Sequence, residues 1–470
     1  MNYCVLLSPD PVVSASYMHE LECVPRDIHV FEHNGALYGF DPVTVRLRPL
    51  EPDEASFLNA FQNTDALDAG SSLEWEPDHT LKVVKNLFQK GLLSCSYPEP
   101  AEKAPPSNRV EVLVNVSQIC NLGCAYCFVD QGKFSYPGER AEKLSPDHAR
   151  RLIEVLPQGL PSVEEFCIHF YGGEPLLNLE AMKAAVDAAD ADGDTRFTFA
   201  ITTNGTIVTD EAVSLLKKGH FCVVLSMDGP PEVHDAVRQT VKGEPTHARV
   251  IKFLQLLRMN PPLSVRGSAV VRKGWTLRQA EEYLNNQDVN LIKAQAVRLP
   301  LNHPLMLNKE ERIEYVNHLG EIADNVIKGL QKGEAPRDDR FGHRVLQVLR
   351  GTRRTSFCGA GQWTFGVAAD GTILPCVLLA GREGMVLGHL DEPPEKWVER
   401  GKAWAEANGP RCECEHCWAL PLCGGGCPAM LNICGEDECD LTRANCEKAL
   451  AIYGAFYPDN LVDLLCLAGL

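Results

Sequence analysis

Long hydrophobic stretches are missing from this chain. No run of about 18 apolar residues occurs, so the sequence offers no membrane-spanning helix. The opening residues Met1, Asn2, Tyr3, Cys4 and Val5 lack the basic region that begins a secretory signal, and the expected location is the cytoplasm. Positive charge is also scarce: 45 Lys and Arg stand against 63 Asp and Glu, a formal charge of -18. That balance argues against a nucleic-acid partner and would attract a basic substrate segment. Cysteine, by contrast, is abundant. Nineteen cysteines would signal disulfides in a small secreted chain, but in 470 residues without an export signal they point to metal clusters. The 45% apolar fraction can supply cores for roughly two to four domains.

Cys120, Cys124 and Cys127 carry the strongest chemical signal. Three closely spaced thiolates can hold an iron-sulfur cluster and leave one iron open to a substrate, whereas structural zinc usually takes four ligands in paired clusters. The β-branched run Val110 to Val116 places this loop at the end of a strand. Further on, Gly172 and Gly173 let backbone approach a ligand closely, and Glu174 beside them can accept from an ammonium group. Alone, Gly-Gly-Glu-Pro is also a plain turn.

The Cys-x-x-x-Cys-x-aromatic-Cys spacing, with Tyr126 in the aromatic place, resembles the signature of radical S-adenosylmethionine (SAM) enzymes. Ile168 to Pro175 resembles that family's second-strand motif. The resemblance implies a 4Fe-4S cluster on the three cysteines with SAM on its open iron, and Gly172, Gly173 and Glu174 against the methionine amino group. It also places Asn204, Ser226 and Asp228, at later strand ends, near the ribose and carboxylate, and Arg238 near the cofactor carboxylate. Short polar residues in such loops also serve as turn and cap formers, and an arginine also serves in a surface ion pair.

Three regions are expected. Residues 1–95 read as a separate module of strands Ile28 to His33, Ala36 to Asp41 and Thr44 to Leu50, with an Asn34-Gly35 hairpin turn and helices near Glu54 to Phe61 and His79 to Lys90. This resembles winged-helix-like peptide-recognition elements, which would take a leader segment as an added strand; a structural cap is the alternative. Residues 96–108 are a proline-rich linker. From 109 to 340, strands and helices alternate, predicting parallel strands with crossover helices; the family resemblance implies a partial (β/α)6 barrel with ligands at the carboxyl ends of its strands.

Residues 341–470 hold a seven-cysteine constellation that resembles the SPASM domain. The resemblance implies one auxiliary iron-sulfur cluster on Cys414, Cys417, Cys423 and Cys446, and another on Cys358, Cys376 and Cys427, both expected as 4Fe-4S. For a fourth ligand to the second, Cys412, Cys434, Cys439 and a substrate thiolate all stay open. A zinc ribbon over 414 to 427 is the other reading. Cys167 and Cys222 read as buried hydrophobes.

Such clusters suit a two-electron oxidation, and SPASM relatives include peptide crosslinking enzymes and anaerobic sulfatase maturases. Sulfatase maturases carry an Asp after the Pro-Cys cysteine, where this chain has Val377. The expectation is therefore an oxidoreductase that makes thioether crosslinks in a ribosomally made peptide or small protein subunit, fed by flavodoxin or ferredoxin. Asp235 is the candidate base, with a helix cap as its alternative role. Carbon-carbon crosslinking, epimerisation, formylglycine formation and a non-catalytic electron carrier are the competing readings.

Overall fold

The computed structural model describes residues 27–61, 66–94, 97–104, 107–130, 141–259, 261–300, 302–434, 439–458 and 464. Cys4, Cys23, Cys95 and Cys466 lie outside them, as do the side chains of Cys412 and Cys434.

The N-terminal hairpin forms where Asn34 and Gly35 both take positive φ, 50° and 78°, the backbone that a two-residue turn between twisted strands requires. It joins β1 (His29–His33) to β2 (Ala36–Asp41), and β3 (Arg46–Leu50) completes an antiparallel sheet. Helices Pro52–Phe61 and Pro77–Gln89 bury Phe57, Phe61, Val84 and Leu87 in a separate small core. The other face of this module docks on the C-terminal region and on helix Lys309–Leu330. The His29 ring stacks on Trp418 with centroids 3.6 Å apart, and His33 Nε2 meets Asp324 at 2.8 Å.

The Pro-rich segment is tied down rather than a free linker. Its β4 (Glu102–Lys103) pairs in parallel with β11 (Thr352–Arg353).

The main body is one nine-stranded sheet in the order β10-β9-β8-β7-β6-β5-β12-β13-β14. Strands β5 (Arg109–Ser117), β6 (Glu165–Gly172), β7 (Phe197–Thr203), β8 (Cys222–Ser226), β9 (Ser264–Val271) and β10 (Leu291–Ala296) run parallel in sequence order. This is the expected six-strand alternation. In β5, Val110, Val112 and Val114 are buried while Arg109 and Glu111 reach the other face, the period of two that a strand imposes. Crossover helices begin on their own caps: Ser145 Oγ accepts from His148 N–H at helix Pro146–Gly159, and Thr276 with Gln279 forms a capping box at Leu277–Asn285.

The sheet does not stop at the expected boundary near 340. Strand β12 (Thr364–Val367) pairs in parallel with β5, and β13 (Thr372–Leu374) and β14 (Gly388–His389) follow as an antiparallel ribbon. The cysteine-rich region thus extends the barrel sheet through its first strand instead of packing as a detached unit. Among the described residues, no helix is long and apolar enough to cross a membrane.

Candidate active site

A cavity of about 340 Å³ opens at the carboxyl ends of β5 to β10. Cys120, Cys124 and Cys127 line it together, with Tyr126, Gly172, Gly173, Glu174, Asn204, Ser226 and Arg238. The cysteine loop is held in place by backbone bonds to the segment after β8: Gly123 N–H donates to Gln239 O at 2.9 Å and Ala125 N–H to Val237 O at 2.9 Å. Burial pushes the Cys120 thiol up to about 12 and also raises Cys124. Without a bound cation these thiols keep their protons, and a metal must displace them. None is in a disulfide.

Gly172 and Gly173 lie directly against that loop. Gly173 N–H donates to Ser117 O at 2.7 Å and Glu174 N–H to Ile119 O at 2.9 Å. Gly172 has φ 133°, and a Cβ at either glycine would enter the carbonyl of Ser117 or Ile119. The Glu174 carboxylate is 1% exposed. Its Oε1 accepts from Thr203 Oγ1 at 2.7 Å and Leu176 N–H at 3.1 Å, and its Oε2 from Asn204 N–H at 2.8 Å. Burial raises its pKa despite these donors, and Oε2, with one donor, keeps capacity for another.

One expected contact is displaced, and another is partly engaged. Asp228 does not line the cavity: it is fully buried behind Tyr126, accepting from Tyr126 OH at 2.5 Å and from Val270 N–H at 3.2 Å. Arg238, instead of a free fork, donates to Tyr126 OH at 2.6 Å and stands 3.8 Å from Asp228 Oδ1. Both groups set the ring of Tyr126, and Arg238 also lines the cavity. Asp235 is also elsewhere. Its Oδ1 accepts from Thr246 N–H at 2.7 Å and His247 N–H at 2.8 Å, capping helix His247–Arg258, and it does not line the cavity.

The C-terminal cysteines fall into two neighbourhoods. Cys358, Cys376 and Cys427 lie within electrostatic reach of one another, and burial pushes Cys358 to about 11 and Cys376 to about 12. Cys414, Cys417 and Cys423 line a second small pocket, with Cys446 close to Cys417 and Cys423. Cys439 belongs to this second pocket, which separates it from the set that was short of a ligand. The first neighbourhood borders the cavity: Leu378 and Met430 close its roof, and Tyr171, driven by burial to about 12, feels both Cys127 and Cys376.

Sequence reasoning missed Lys293, Gln295 and Arg298, which line the cavity from β10 onward. Their signal was the alternation of β10, where Ile292, Ala294 and Ala296 are buried and Lys293 and Gln295 take the opposite face. Burial, then Arg266, lowers the Lys293 pKa, with Arg298 adding to the effect. The same three residues border a second cavity of about 380 Å³ that reaches Arg344, Arg354 and Cys358.

The site fits an anionic cluster with an amino-acid cofactor. Three thiols from one loop converge on it, two glycines let the neighbouring strand end pack directly against that loop, and Arg238, which lines the cavity, has its Nε buried without a partner. Comparison with known proteins agrees. The profile of the Radical SAM superfamily matches residues 114–285. The radical SAM cyclopropyl synthase TigE of Paramaledivibacter caminithermalis is 27% identical over 230 residues, 44% of this chain and 46% of TigE, so the match spans about half of that relative. The cysteine-type anaerobic sulfatase-maturating enzyme of Clostridium novyi is 23% identical over 329 residues, 66% of this chain and 85% of the relative. Among solved structures, anSMEcpe with bound AdoMet superposes with a TM-score of 0.63 at 20% identity, covering 77% of this chain and 99% of that one. Residues 114–285 are therefore a radical SAM domain, in a chain similar to a radical SAM cyclopropyl synthase and to anaerobic sulfatase-maturating enzymes.

Proposed function

We propose that this chain is a radical SAM maturase that forms thioether crosslinks, Cys sulfur to carbon, within a ribosomally made polypeptide. Bound at Cys120, Cys124 and Cys127, the cluster and SAM supply a radical able to take hydrogen from an unactivated carbon. The chain's own residues do the rest. Gly172, Gly173 and Glu174 orient the amino end of the cofactor, with Asn204 and Ser226 alongside, while Arg238 and Asp228 hold Tyr126 in place. Leu378 and Met430 shield the cavity from water. Cys358, Cys376 and Cys427 would hold one auxiliary cluster beside the cavity, and Cys414, Cys417, Cys423 and Cys446 another farther out.

The observation that carries the thioether reading is the position after Cys376. Val377 is fully buried in a tight turn, and no carboxylate directly follows Cys376. A substrate thiol, with an ordinary pKa of about 8.5, needs a proton acceptor, and Lys293, whose amine is held toward its neutral form, faces the same space. The N-terminal sheet and its separate core support capture of a leader segment by strand addition. Formylglycine formation is the second reading, favoured by the sulfatase-maturating relatives.

The test is anaerobic reaction of the reconstituted chain with SAM, reductant and a cysteine-bearing polypeptide encoded beside its gene, then thiol alkylation and mass measurement. Loss of two hydrogens per site with alkylation-resistant sulfur supports thioether formation. Alkylatable thiols would refute it: with loss of two hydrogens they indicate carbon-carbon crosslinks, and with unchanged mass, epimerisation. An aldehyde in place of a cysteine would indicate formylglycine.

A further inference from the structure

Away from the radical site, His148, His389 and Asp391 bring one ligand atom each to within 4.8 Å of one another. They come from separate parts of the fold. His148 stands in the first turn of helix Pro146–Gly159, on the barrel; His389 ends β14, and Asp391 follows it. We infer that these three side chains form a divalent transition-metal site, with zinc the fitting ion, that pins the β13–β14 ribbon to the barrel.

The geometry carries this in four ways. First, His389 Nε2 lies 2.8 Å from the carbonyl of Asp370. An imidazole that donates one N–H to a backbone carbonyl carries its lone pair on the other nitrogen, the arrangement found behind metal-bound histidines; here that nitrogen, Nδ1, accepts one long bond, from Asp391 N–H at 3.3 Å. Second, that other nitrogen, Nδ1, is 3.3 Å from Asp391 Oδ2. Metal bonds of about 2.0 to 2.2 Å in a tetrahedron place neighbouring ligand atoms about 3.4 Å apart. Third, Nδ1 of His148 is buried and without a hydrogen bond, and the two imidazoles meet edge to face with centroids 5.4 Å apart. A buried ring nitrogen without a partner carries a cost that coordination would relieve.

Fourth, the floor of the site is Gly371, at φ 90°. A Cβ there would lie 2.8 Å from His389 Nε2 and 3.1 Å from His148 Cε1, so a side chain would occupy the space between the rings. Asp391 is 71% exposed, leaving one face open to water as a fourth ligand and letting its carboxylate turn to close the remaining distance. Two imidazoles and a carboxylate suit zinc better than magnesium or calcium, which prefer all-oxygen shells. The ribbon so pinned leads from Leu374 through Pro375 to Cys376. A metal here would fix the strand that delivers a cysteine to the edge of the radical cavity, without taking part in its chemistry.

The experiment uses the full chain with its clusters reconstituted anaerobically, so that the cysteines are occupied. After chelator treatment and desalting, one equivalent of zinc is added, unbound metal is removed, and zinc and iron are measured per chain. The expected result is about one zinc retained by the parent chain with iron unchanged. His389→Ala and His148→Ala abolish retention, and Asp391→Asn, at an exposed position that the fold does not need, weakens zinc binding by about tenfold or more. Equal retention by parent and variants would overturn the site. So would no retention by the parent, or uptake only as iron is released, which would put zinc on thiolates.

Discussion

Replacing Gly173 by alanine tests how the glycine pair supports the cysteine loop. The perturbation is steric, since only Gly172 of the pair has positive φ. A Cβ at position 173 would lie far inside contact with the Ile119 carbonyl and 3.0 Å from Cys120 N. An ordinary carbon-oxygen contact is restored only if the Ile119–Cys120 peptide withdraws by about 1 Å. The loop cannot take this up freely, because Glu174 N–H donates to the same Ile119 carbonyl and Gly123 and Ala125 bond to the segment after β8. Overpacking of this kind costs about 1–3 kcal/mol of stability, which a chain of this size survives. The larger effect is on geometry: a 1 Å misplacement at a reacting centre costs about a hundredfold in rate. The assay is release of 5′-deoxyadenosine from SAM under anaerobic reduction, with iron at the C-terminal cysteines measured alongside. The account expects about a hundredfold slower release with that C-terminal iron retained. Release within about threefold of the parent would refute the reasoning, because misplacement by 1 Å cannot be that mild.

Glu174→Gln replaces an acceptor with an amide donor facing Thr203, Leu176 or Asn204, and lost hydrogen bonds to a charged group should raise the KM for SAM by about tenfold or more; steady-state kinetics reads it. Lys293→Met should leave 5′-deoxyadenosine release in place while thioether product falls, a split measured by following both products in one reaction. His234 gives a pH signature. It is fully buried, with Nδ1 accepting from Asp228 N–H and Nε2 facing Thr246 Oγ1. Burial, then Arg238, His247 and Arg272, hold it down to about 3. Its ordinary value is about 6.5, so between these values the unfolded chain binds the proton and the folded chain does not. Stability therefore falls as pH drops below 6.5, by about 2 kcal/mol between pH 7 and pH 5. Urea unfolding at the two pH values checks this, and His234→Gln should remove that part of the difference.

The parallel alternation of strands and helices was legible because its strands are bounded by turn residues and its helices by caps. Val110 to Val116, Ser264 to Val271 and Leu291 onward all became strands, and the Asn34-Gly35 hairpin formed as its two residues dictate. Cys120, Cys124 and Cys127 stood out by their close spacing, and the C-terminal sets by resemblance to the SPASM domain; the fold gathers the members of each set into one neighbourhood. What stayed hidden was tertiary. That Thr364–Val367 joins β5 depends on a partner about 250 residues away, which no local period announces. Asp235 looked available until Thr246 and His247, also distant in sequence, supplied the N–H groups it caps. Lys293 was passed over because one charged residue within a strand reads as solvent-facing, and only the tertiary fold sets that face against the cavity.

The most direct measurement of the central claim is 5′-deoxyadenosine release by the anaerobically reconstituted chain given SAM and a strong reductant, with Cys120, Cys124 and Cys127 changed to alanine as the comparison. The account predicts release by the parent and none by the triple variant, which should also lose about four irons while keeping those held by the C-terminal cysteines. Full iron loading with no 5′-deoxyadenosine, or equal release from the variant, would contradict it.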